Sequence, residues 1–105
     1  MQVREIEVTR SSVTNGRIYF PISDAKFFPT DSLSDRERDG HVGLSVVFKA
    51  GEYVYDGPIR LISGQRLSPK RSFAKYLMSV EAKSGDRLLV SRTSEREYSV
   101  VHVST

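Results

Sequence analysis

The chain carries the twelve residues Arg17-Ile18-Tyr19-Phe20-Pro21-Ile22-Ser23-Asp24-Ala25-Lys26-Phe27-Phe28 and repeats their pattern without a gap as Arg66-Leu67-Ser68-Pro69-Lys70-Arg71-Ser72-Phe73-Ala74-Lys75-Tyr76-Leu77. Four positions are identical, and three more exchange similar apolar side chains. Further along, Glu52-Tyr53 is matched by Glu97-Tyr98, so the offset between the halves falls from 49 to 45 and the first half has the longer connection, at 29–40. Because stacked repeat arrays need at least three units, two halves predict one pseudo-symmetric domain rather than a solenoid.

The composition limits the class of protein. A chain of 105 residues has room for one domain, which we expect to span 1–105. The absence of cysteine excludes disulfides, thiolate metal sites and cysteine nucleophiles, and it fits a reducing compartment. No apolar run is long enough for a signal core or a membrane span, so we expect no contact with a membrane. The expected location is the cytoplasm, with the nucleoid, in a prokaryote, or the nucleus in a eukaryote.

Charge is distributed unevenly along the chain, although the net charge is only +3. The stretch 60–75 has five basic and no acidic residues, and 8–23 has Arg10 and Arg17 with no acidic residue. The stretch 30–40 instead has four acidic and two basic residues. The two basic stretches lead into or overlap the repeated segments, and such clustering favours binding to a polyanion such as nucleic acid. The alternative is that mixed charge solvates an ordinary surface.

Apolar side chains recur at every second residue over most of the chain, which predicts a mainly β fold. About seven strands are expected, at 3–8, 17–20, 42–49, 52–55, 59–62, 87–91 and 97–103. Gly51 supplies the positive φ of a tight hairpin turn. Two short helices are expected, one at 23–28 with Ser23 as its cap and one that begins at Pro69. The second has an apolar stripe formed by Phe73, Tyr76, Leu77 and Val80.

The segment Thr9-Arg10-Ser11-Ser12-Val13-Thr14-Asn15-Gly16-Arg17-Ile18-Tyr19-Phe20-Pro21, together with the order of elements and Gly85-Asp86 after the second helix, resembles the DNA-binding pseudobarrel superfamily. This superfamily includes the plant B3 domain and the recognition domains of EcoRII-like restriction endonucleases. The resemblance implies a seven-stranded open pseudobarrel with an internal pseudo-two-fold repeat. The chain has no tryptophan, which plant members commonly carry, so a prokaryotic relative is favoured. Swapped-hairpin factors of the AbrB kind share Pro69-Lys70 and Gly85-Asp86 but are shorter and dimeric.

The resemblance implies two arms that clamp the major groove of DNA, here at 10–19 and 60–71. These are the basic stretches already found from charge. Arginine suits guanine and an amide suits adenine, whereas hydroxyl groups and cations suit phosphates. The expected base contacts are Arg10, Asn15, Arg17, Gln65 and Arg66. The expected phosphate contacts are Ser12, Thr14, Ser63, Ser68, Lys70 and Arg71, and Tyr19 and Arg60 complete the expected DNA-binding set.

Several of these residues have a structural alternative. Arg17 and Arg66 occupy equivalent repeat positions and could form ion pairs with Glu52 and Glu97, which are also equivalent. Tyr19 could stack on a base or sugar, or could pack in a strand. Asn15-Gly16 could be only a turn chosen for positive φ.

Enzymatic interpretations have less support in the sequence. Asp56 with Glu81-Ala82-Lys83 has the residue types of a metal-dependent nuclease, but the triplet follows a helix and does not lie on a strand facing Asp56. His41 and His102 lack a recognisable partner base or nucleophile. The glycines at 40, 43 and 51 do not have the spacing of a phosphate-binding loop. We therefore expect neither a catalytic residue, a metal nor a cofactor.

The sequence thus predicts a non-catalytic domain that binds double-stranded DNA with sequence specificity. Such a domain would serve as the recognition module of a restriction endonuclease or a transcription regulator, with a nuclease or regulatory domain fused to it or associated with it. The alternative is a small β-barrel adaptor that uses the same basic face to bind a protein or an acidic ligand.

Overall fold

The computed structural model describes residues 2–34, 43–62 and 66–104. These residues form a mainly β fold with two sheets that do not close into a barrel, which confirms the predicted open pseudobarrel. The five-stranded sheet has the order β1-β8-β9-β4-β5, and the four-stranded sheet has the order β2-β7-β6-β3. The strands are β1 Val3–Glu7, β2 Phe20–Pro21, β3 Leu33–Ser34, β4 Val46–Ala50, β5 Tyr53–Gly57, β6 Ile59–Ile62, β7 Arg66–Pro69, β8 Arg87–Ser94 and β9 Glu97–Val103.

Short helices connect these strands. The α-helices are α1, Arg10–Asn15, and α2, Ala74–Ser79, and two 3-10 helices span Ile22–Phe27 and Thr30–Ser32. None of the helices in the described ranges is long and apolar enough to cross a membrane. The described residues form nine strand segments where about seven were expected, and the two additional segments are β3 and β7.

The core is dominated by aromatic rings. Phe27, Phe28, Phe48 and Tyr98 are buried and in mutual contact, with the rings of Phe48 and Tyr98 stacked at 5.0 Å between centroids. The Tyr98 hydroxyl donates a 2.7 Å hydrogen bond to the Phe27 carbonyl, which satisfies both polar groups in the apolar interior. Burial raises the pKa of Tyr98 to about 12 because the phenolate is poorly solvated there.

The repeat detected in the sequence corresponds to equivalent core positions. Ile18 and Leu67 are both buried, as are the pairs Phe27 with Tyr76 and Phe28 with Leu77. The two halves differ in helix type, since the first uses a 3-10 helix where the second uses α2. The repeat therefore marks a shared burial pattern more closely than a shared backbone conformation.

Three local predictions were wrong. Ser23 is not a cap, because the 3-10 helix begins at Ile22 and Pro21 precedes it without a side-chain capping bond. Pro69 does not begin a helix but ends β7, where it is buried and lies opposite Ile59. The expected strand at 17–20 is reduced to Phe20–Pro21. By contrast, the hairpin of β4 and β5 has Gly51 at φ 60°, as predicted. Val42, the first residue of the strand expected at 42–49, lies outside the described residues.

Candidate nucleic-acid interface

The first arm contains the helix α1, which was not among the two helices expected from the sequence. Thr9 and Ser12 form a capping box, in which the Ser12 amide donates to Thr9 Oγ1 at 3.1 Å and the Thr9 amide donates to Ser12 Oγ at 3.0 Å. These bonds satisfy amides that would otherwise be unpaired at the start of α1. Gly16 ends the helix in the left-handed conformation at φ 63°.

Ser12, one of the predicted phosphate contacts, belongs to this capping box. Ser12 is 1% exposed and its hydroxyl is engaged by Thr9, so the expectation that it contacts a phosphate does not fit this structure. Arg10, Thr14 and Asn15 are exposed on the same helix and remain available to a ligand. The first arm thus begins with a short capped helix.

The second arm consists of β6, β7 and the residues that follow β7. Arg60 is half-buried on β6 and lies opposite Ser68 on β7. Ser68 is fully buried and its hydroxyl is directed to the Pro69 carbonyl at 3.4 Å, so its predicted phosphate contact does not fit either. Ser63 and Gln65 lie outside the described residues.

Two exposed cations follow β7. Arg71 is held against β5, because its Nε donates to the Asp56 carbonyl at 2.6 Å and its Nη2 lies 3.6 Å from Asp56 Oδ1. The Lys70 amide donates to the Pro58 carbonyl at 2.9 Å, while its side chain is exposed. Both side chains line a shallow depression of about 220 Å³ with Ser45, Gly57 and Pro58.

The two arms, which are about 50 residues apart in sequence, meet at a tyrosine. Asn15 Nδ2 on α1 donates to the Tyr19 hydroxyl at 3.3 Å. The Arg66 guanidinium, at the start of β7, lies over the Tyr19 ring with Cζ 4.3 Å from the centroid. The antiparallel pairing of β2 with β7 places Pro21 opposite Arg66 and so brings these side chains together. Asn15, Tyr19 and Arg66 therefore form one contiguous group, which we call the Tyr19 cluster.

The ion pairs considered as an alternative are not among the contacts of the described residues. Arg17 Nη1 instead donates to the Pro69 carbonyl at 3.4 Å, which links the first arm to the end of β7. Glu97 lies 3.8 Å from Lys49 rather than beside Arg66. The equivalence of Arg17 and Arg66 in the repeat is therefore not explained by matched ion pairs.

Most of the other arginines are occupied by protein acceptors. Arg4 donates to Asp24 at 3.1 Å, and Arg87 donates to Glu7 at 2.8 Å, a bond that raises the pKa of Arg87. Arg71, Arg92 and Arg96 also donate to carbonyl or carboxylate oxygens. Within the described ranges, no acceptor takes a hydrogen bond from the Arg66 guanidinium. Arg66 thus lies over the Tyr19 ring, and its donors form no hydrogen bond with a described residue.

Among the described residues, those considered for catalysis do not form a cluster that could hold a metal ion. Asp56 is engaged by Arg71, and Glu81 follows α2 in the left-handed conformation at φ 53°. His102 Nε2 lies 2.7 Å from the buried Asp86, an arrangement that the sequence did not predict and that joins β9 to the turn before β8. His41 is outside the described residues, and those described contain no cluster of three or more residues that could hold a metal ion.

Comparison with known proteins identifies the fold. Neither a protein-family model nor a curated protein sequence matches the chain. The structure is similar to the N-terminal domain of Helicobacter pylori LlaJI.R1, with a TM-score of 0.62 and 16% identity over 98% of this chain and 88% of that one. It is also similar to the protein in the Arabidopsis FUS3–DNA complex, with a TM-score of 0.65 and 15% identity over 97% of this chain and 96% of that one.

These two neighbours are a restriction-enzyme recognition domain and a B3 domain. They represent the two groups that the sequence resembles, so the predicted resemblance is confirmed at the level of the fold. At 15–16% identity the likeness does not extend to individual residues.

Proposed function

We propose that this domain binds double-stranded DNA with sequence specificity through its two basic arms and has no catalytic activity of its own. The observation that carries the proposal is the Tyr19 cluster, in which side chains suited to base edges come from both arms and meet on one surface. Support also comes from the fold, since a neighbour that covers almost the whole chain is a protein in complex with DNA.

Contacts with base edges and contacts with phosphates require different side chains. Arginine can donate two parallel hydrogen bonds to guanine, and an asparagine or glutamine amide can pair with adenine, so these residue types read base edges in the major groove. Lysine and hydroxyl groups hold phosphates without reading sequence. The proposed base contacts are Arg10, Asn15, Arg17, Gln65 and Arg66. The proposed phosphate contacts are Thr14, Ser63, Lys70 and Arg71, with Arg60 in support.

The biological setting follows from the two kinds of neighbour. We propose that the domain is the recognition module of a restriction endonuclease or a transcription regulator, and that cleavage or regulation is supplied by a fused or associated domain. The proposed location is wherever the cell keeps its DNA, which is the nucleoid of a prokaryote or the nucleus of a eukaryote.

A protein-binding adaptor is the second candidate, and one surface feature favours it. Val13 and Met78 are 50% and 77% exposed and line a groove of about 230 Å³ between α1 and α2, together with Ala74 and Ala82. Exposed apolar side chains that line a groove are typical of protein-binding surfaces. This groove adjoins the first arm, since Asn15 also lines it.

Selection from a pool of randomised duplexes tests the proposal. The purified domain is incubated with the pool at moderate salt, and the retained duplexes are sequenced. Enrichment of one short motif is the expected result. Retention without enrichment would contradict sequence specificity, and no retention would favour the adaptor. A steep fall of affinity with salt is also expected, because bound cations release counterions from DNA.

A further inference from the structure

Unlike the arginines that donate to carbonyl or carboxylate oxygens, Arg66 lies over an aromatic ring and donates to no described residue. Arg66 and Tyr19 line a cleft of about 340 Å³ that also contains Glu5, Glu7 and Asp24. These three carboxylates are engaged by other cations: Glu5 and Glu7 by Arg87, and Asp24 by Arg4. Arg66 is therefore close to acidic groups but stays on the tyrosine ring. The contact that holds it there is with the face of the Tyr19 ring, whose centroid lies 4.3 Å from Arg66 Cζ.

We propose that Tyr19 is a positioning residue rather than a DNA contact, and that it fixes Arg66 and Asn15 for recognition of a guanine and a nearby adenine. This inference rests on the proposed function, because it assigns a role to a residue within the same interface. Tyr19 acts through its ring on Arg66 and through its hydroxyl on Asn15.

The contact with Tyr19 leaves the hydrogen-bonding edge of Arg66 available to a ligand. Guanidinium donors lie in the plane of the group, and none of them forms a hydrogen bond with a described residue, while the Tyr19 ring centroid lies 4.3 Å from Cζ. Two parallel donors in that plane are what guanine O6 and N7 accept. The stack also restricts a long flexible side chain before the ligand arrives, so less conformational entropy is lost on binding.

The hydrogen bond to Asn15 is also compatible with base recognition. An asparagine amide has two N–H donors and one carbonyl acceptor, and adenine requires one donor and the acceptor. The Tyr19 hydroxyl accepts a hydrogen bond from Asn15 Nδ2 at 3.3 Å. This bond uses the N–H donor of Asn15 that adenine does not require. Tyr19 can therefore orient the amide without competing with the base.

Tyr19 also keeps Arg66 away from the carboxylates of the cleft. The substitution Tyr19→Leu removes the ring quadrupole and leaves the guanidinium free to turn toward Glu7 or Asp24. The charge of the protein does not change in this variant. The substitution should therefore reduce the discrimination between duplexes and should not reduce the electrostatic attraction to DNA.

The test uses the full chain with variants Tyr19→Leu, Tyr19→Phe and Arg66→Ala, each alone, and Tyr19→Leu combined with Arg66→Ala. Affinity for the enriched duplex and for a scrambled duplex is measured by fluorescence anisotropy at several salt concentrations. Tyr53→Leu is the matched control, because Tyr53 is a half-buried tyrosine that stacks on Tyr55 in the β4–β5 hairpin. Thermal unfolding of every variant shows whether a loss comes from misfolding.

We expect Tyr19→Leu to lower the ratio of the two affinities by about fivefold, the order of a cation–π contact, with an unchanged salt dependence. Tyr19→Phe, which keeps the ring, should retain most of the preference at the guanine position and lose it at the adenine position. Once Arg66 is alanine, Tyr19→Leu should cost only the preference that depends on Asn15, so the two losses should be less than additive. Fully additive losses, or equal losses for both duplexes, would overturn the inference and leave the proposed function intact. If the wild-type protein prefers no duplex, the proposed function and this inference fail together.

Discussion

The Gly16 carbonyl accepts a 2.7 Å hydrogen bond from the Phe73 amide, which joins the residue that ends α1 to the residue that precedes α2. The Ser72 hydroxyl also lies 3.4 Å from this carbonyl. The first arm is therefore connected through the backbone to the start of α2, and through Tyr19 to Arg66 of the second arm. This contact requires a close approach of the two segments, and the approach depends on the absence of a side chain at position 16.

Gly16→Ala should destabilise the domain by about 2 to 4 kcal/mol, because two costs add. The backbone at φ 63° is unfavourable for alanine, and a Cβ would lie 2.7 Å from the Cβ of Ala74. Gly51→Ala is the matched control, since Gly51 has φ 60° but its Cβ would meet only the Tyr76 ring at 3.6 Å. Urea unfolding should show a loss near 1 kcal/mol for the control. Equal losses in the two variants would contradict the proposed close contact.

Arg66→Ala and Lys70→Ala should differ in how they affect DNA binding. Loss of a bidentate contact with guanine should weaken the preferred duplex by about 1 to 3 kcal/mol and a random duplex much less. Loss of Lys70 should weaken both duplexes alike and reduce the salt slope by about 1. Titrations of both duplexes at several salt concentrations measure these effects, with Lys26→Ala, an exposed residue of the first 3-10 helix, as the control. An equal loss on both duplexes for Arg66→Ala would exclude base reading by this residue.

Ser12→Ala should destabilise α1 by about 1 kcal/mol without weakening DNA binding by the folded domain, because the hydroxyl belongs to the capping box and is buried. Ser11→Ala, at an exposed position of the same helix, is the control and should have little effect on stability. Thermal unfolding together with titrations of the preferred and a random duplex separates the two roles. A lower affinity for both duplexes with unchanged stability would instead restore Ser12 as a phosphate contact.

The stability of the domain should fall as the pH rises from about 10 to about 12. Burial raises the pKa of Tyr98 to about 12, whereas an unfolded tyrosine titrates near 10. Above pH 10 the unfolded chain therefore loses a proton that the folded protein retains, so stability is fully present below that pH and is lost through this window. Burial also raises the pKa of Tyr55 and Tyr76, which act in the same direction. Urea midpoints between pH 8 and 12 measure the decline.

Tyr98→Phe provides the control for this pH dependence. The variant should be less stable at neutral pH by about 1 to 3 kcal/mol, because the Phe27 carbonyl loses its 2.7 Å bond in a buried setting. Its decline above pH 10 should be shallower than that of the wild type. The same slope in both proteins would mean that other groups control the alkaline transition.

Some features that depend on local sequence were predicted and others were missed. The alternation of apolar residues gave β5, β6 and β9 close to their observed positions, and Gly51 marked the hairpin turn. The helix 10–15 was missed although its signals were present, since Thr9 and Ser12 have capping-box spacing and Gly16 is a typical C-terminal stop. The basic Ser/Asn composition favoured a loop, and the capping pattern was the better guide.

Features that depend on tertiary contacts were not predicted. Pro69 satisfies the local rule for a helix start, but β6 pairs with that segment and the Phe73 amide is taken by Gly16 before α2 begins at Ala74. The contact of Tyr19 with Arg66 depends on the register of β2 against β7, which no local pattern specifies. The sequence therefore indicated the chemistry of the candidate site, whereas the strand pairing determines which residues meet.

Asn15→Ala and Arg66→Ala should relax neighbouring positions of the recognition motif. Both side chains contact Tyr19, one at its hydroxyl and one over its ring, so the bases they reach must lie within about a base-pair step or two of each other. When the duplex selection is repeated, the Asn15→Ala variant should no longer prefer adenine at its position. The Arg66→Ala variant should no longer prefer guanine at its position. Arg10→Ala, at the other end of α1, is the control and should leave both positions intact. Relaxed positions separated by half a helical turn of DNA would show that the two residues do not read the same part of the site.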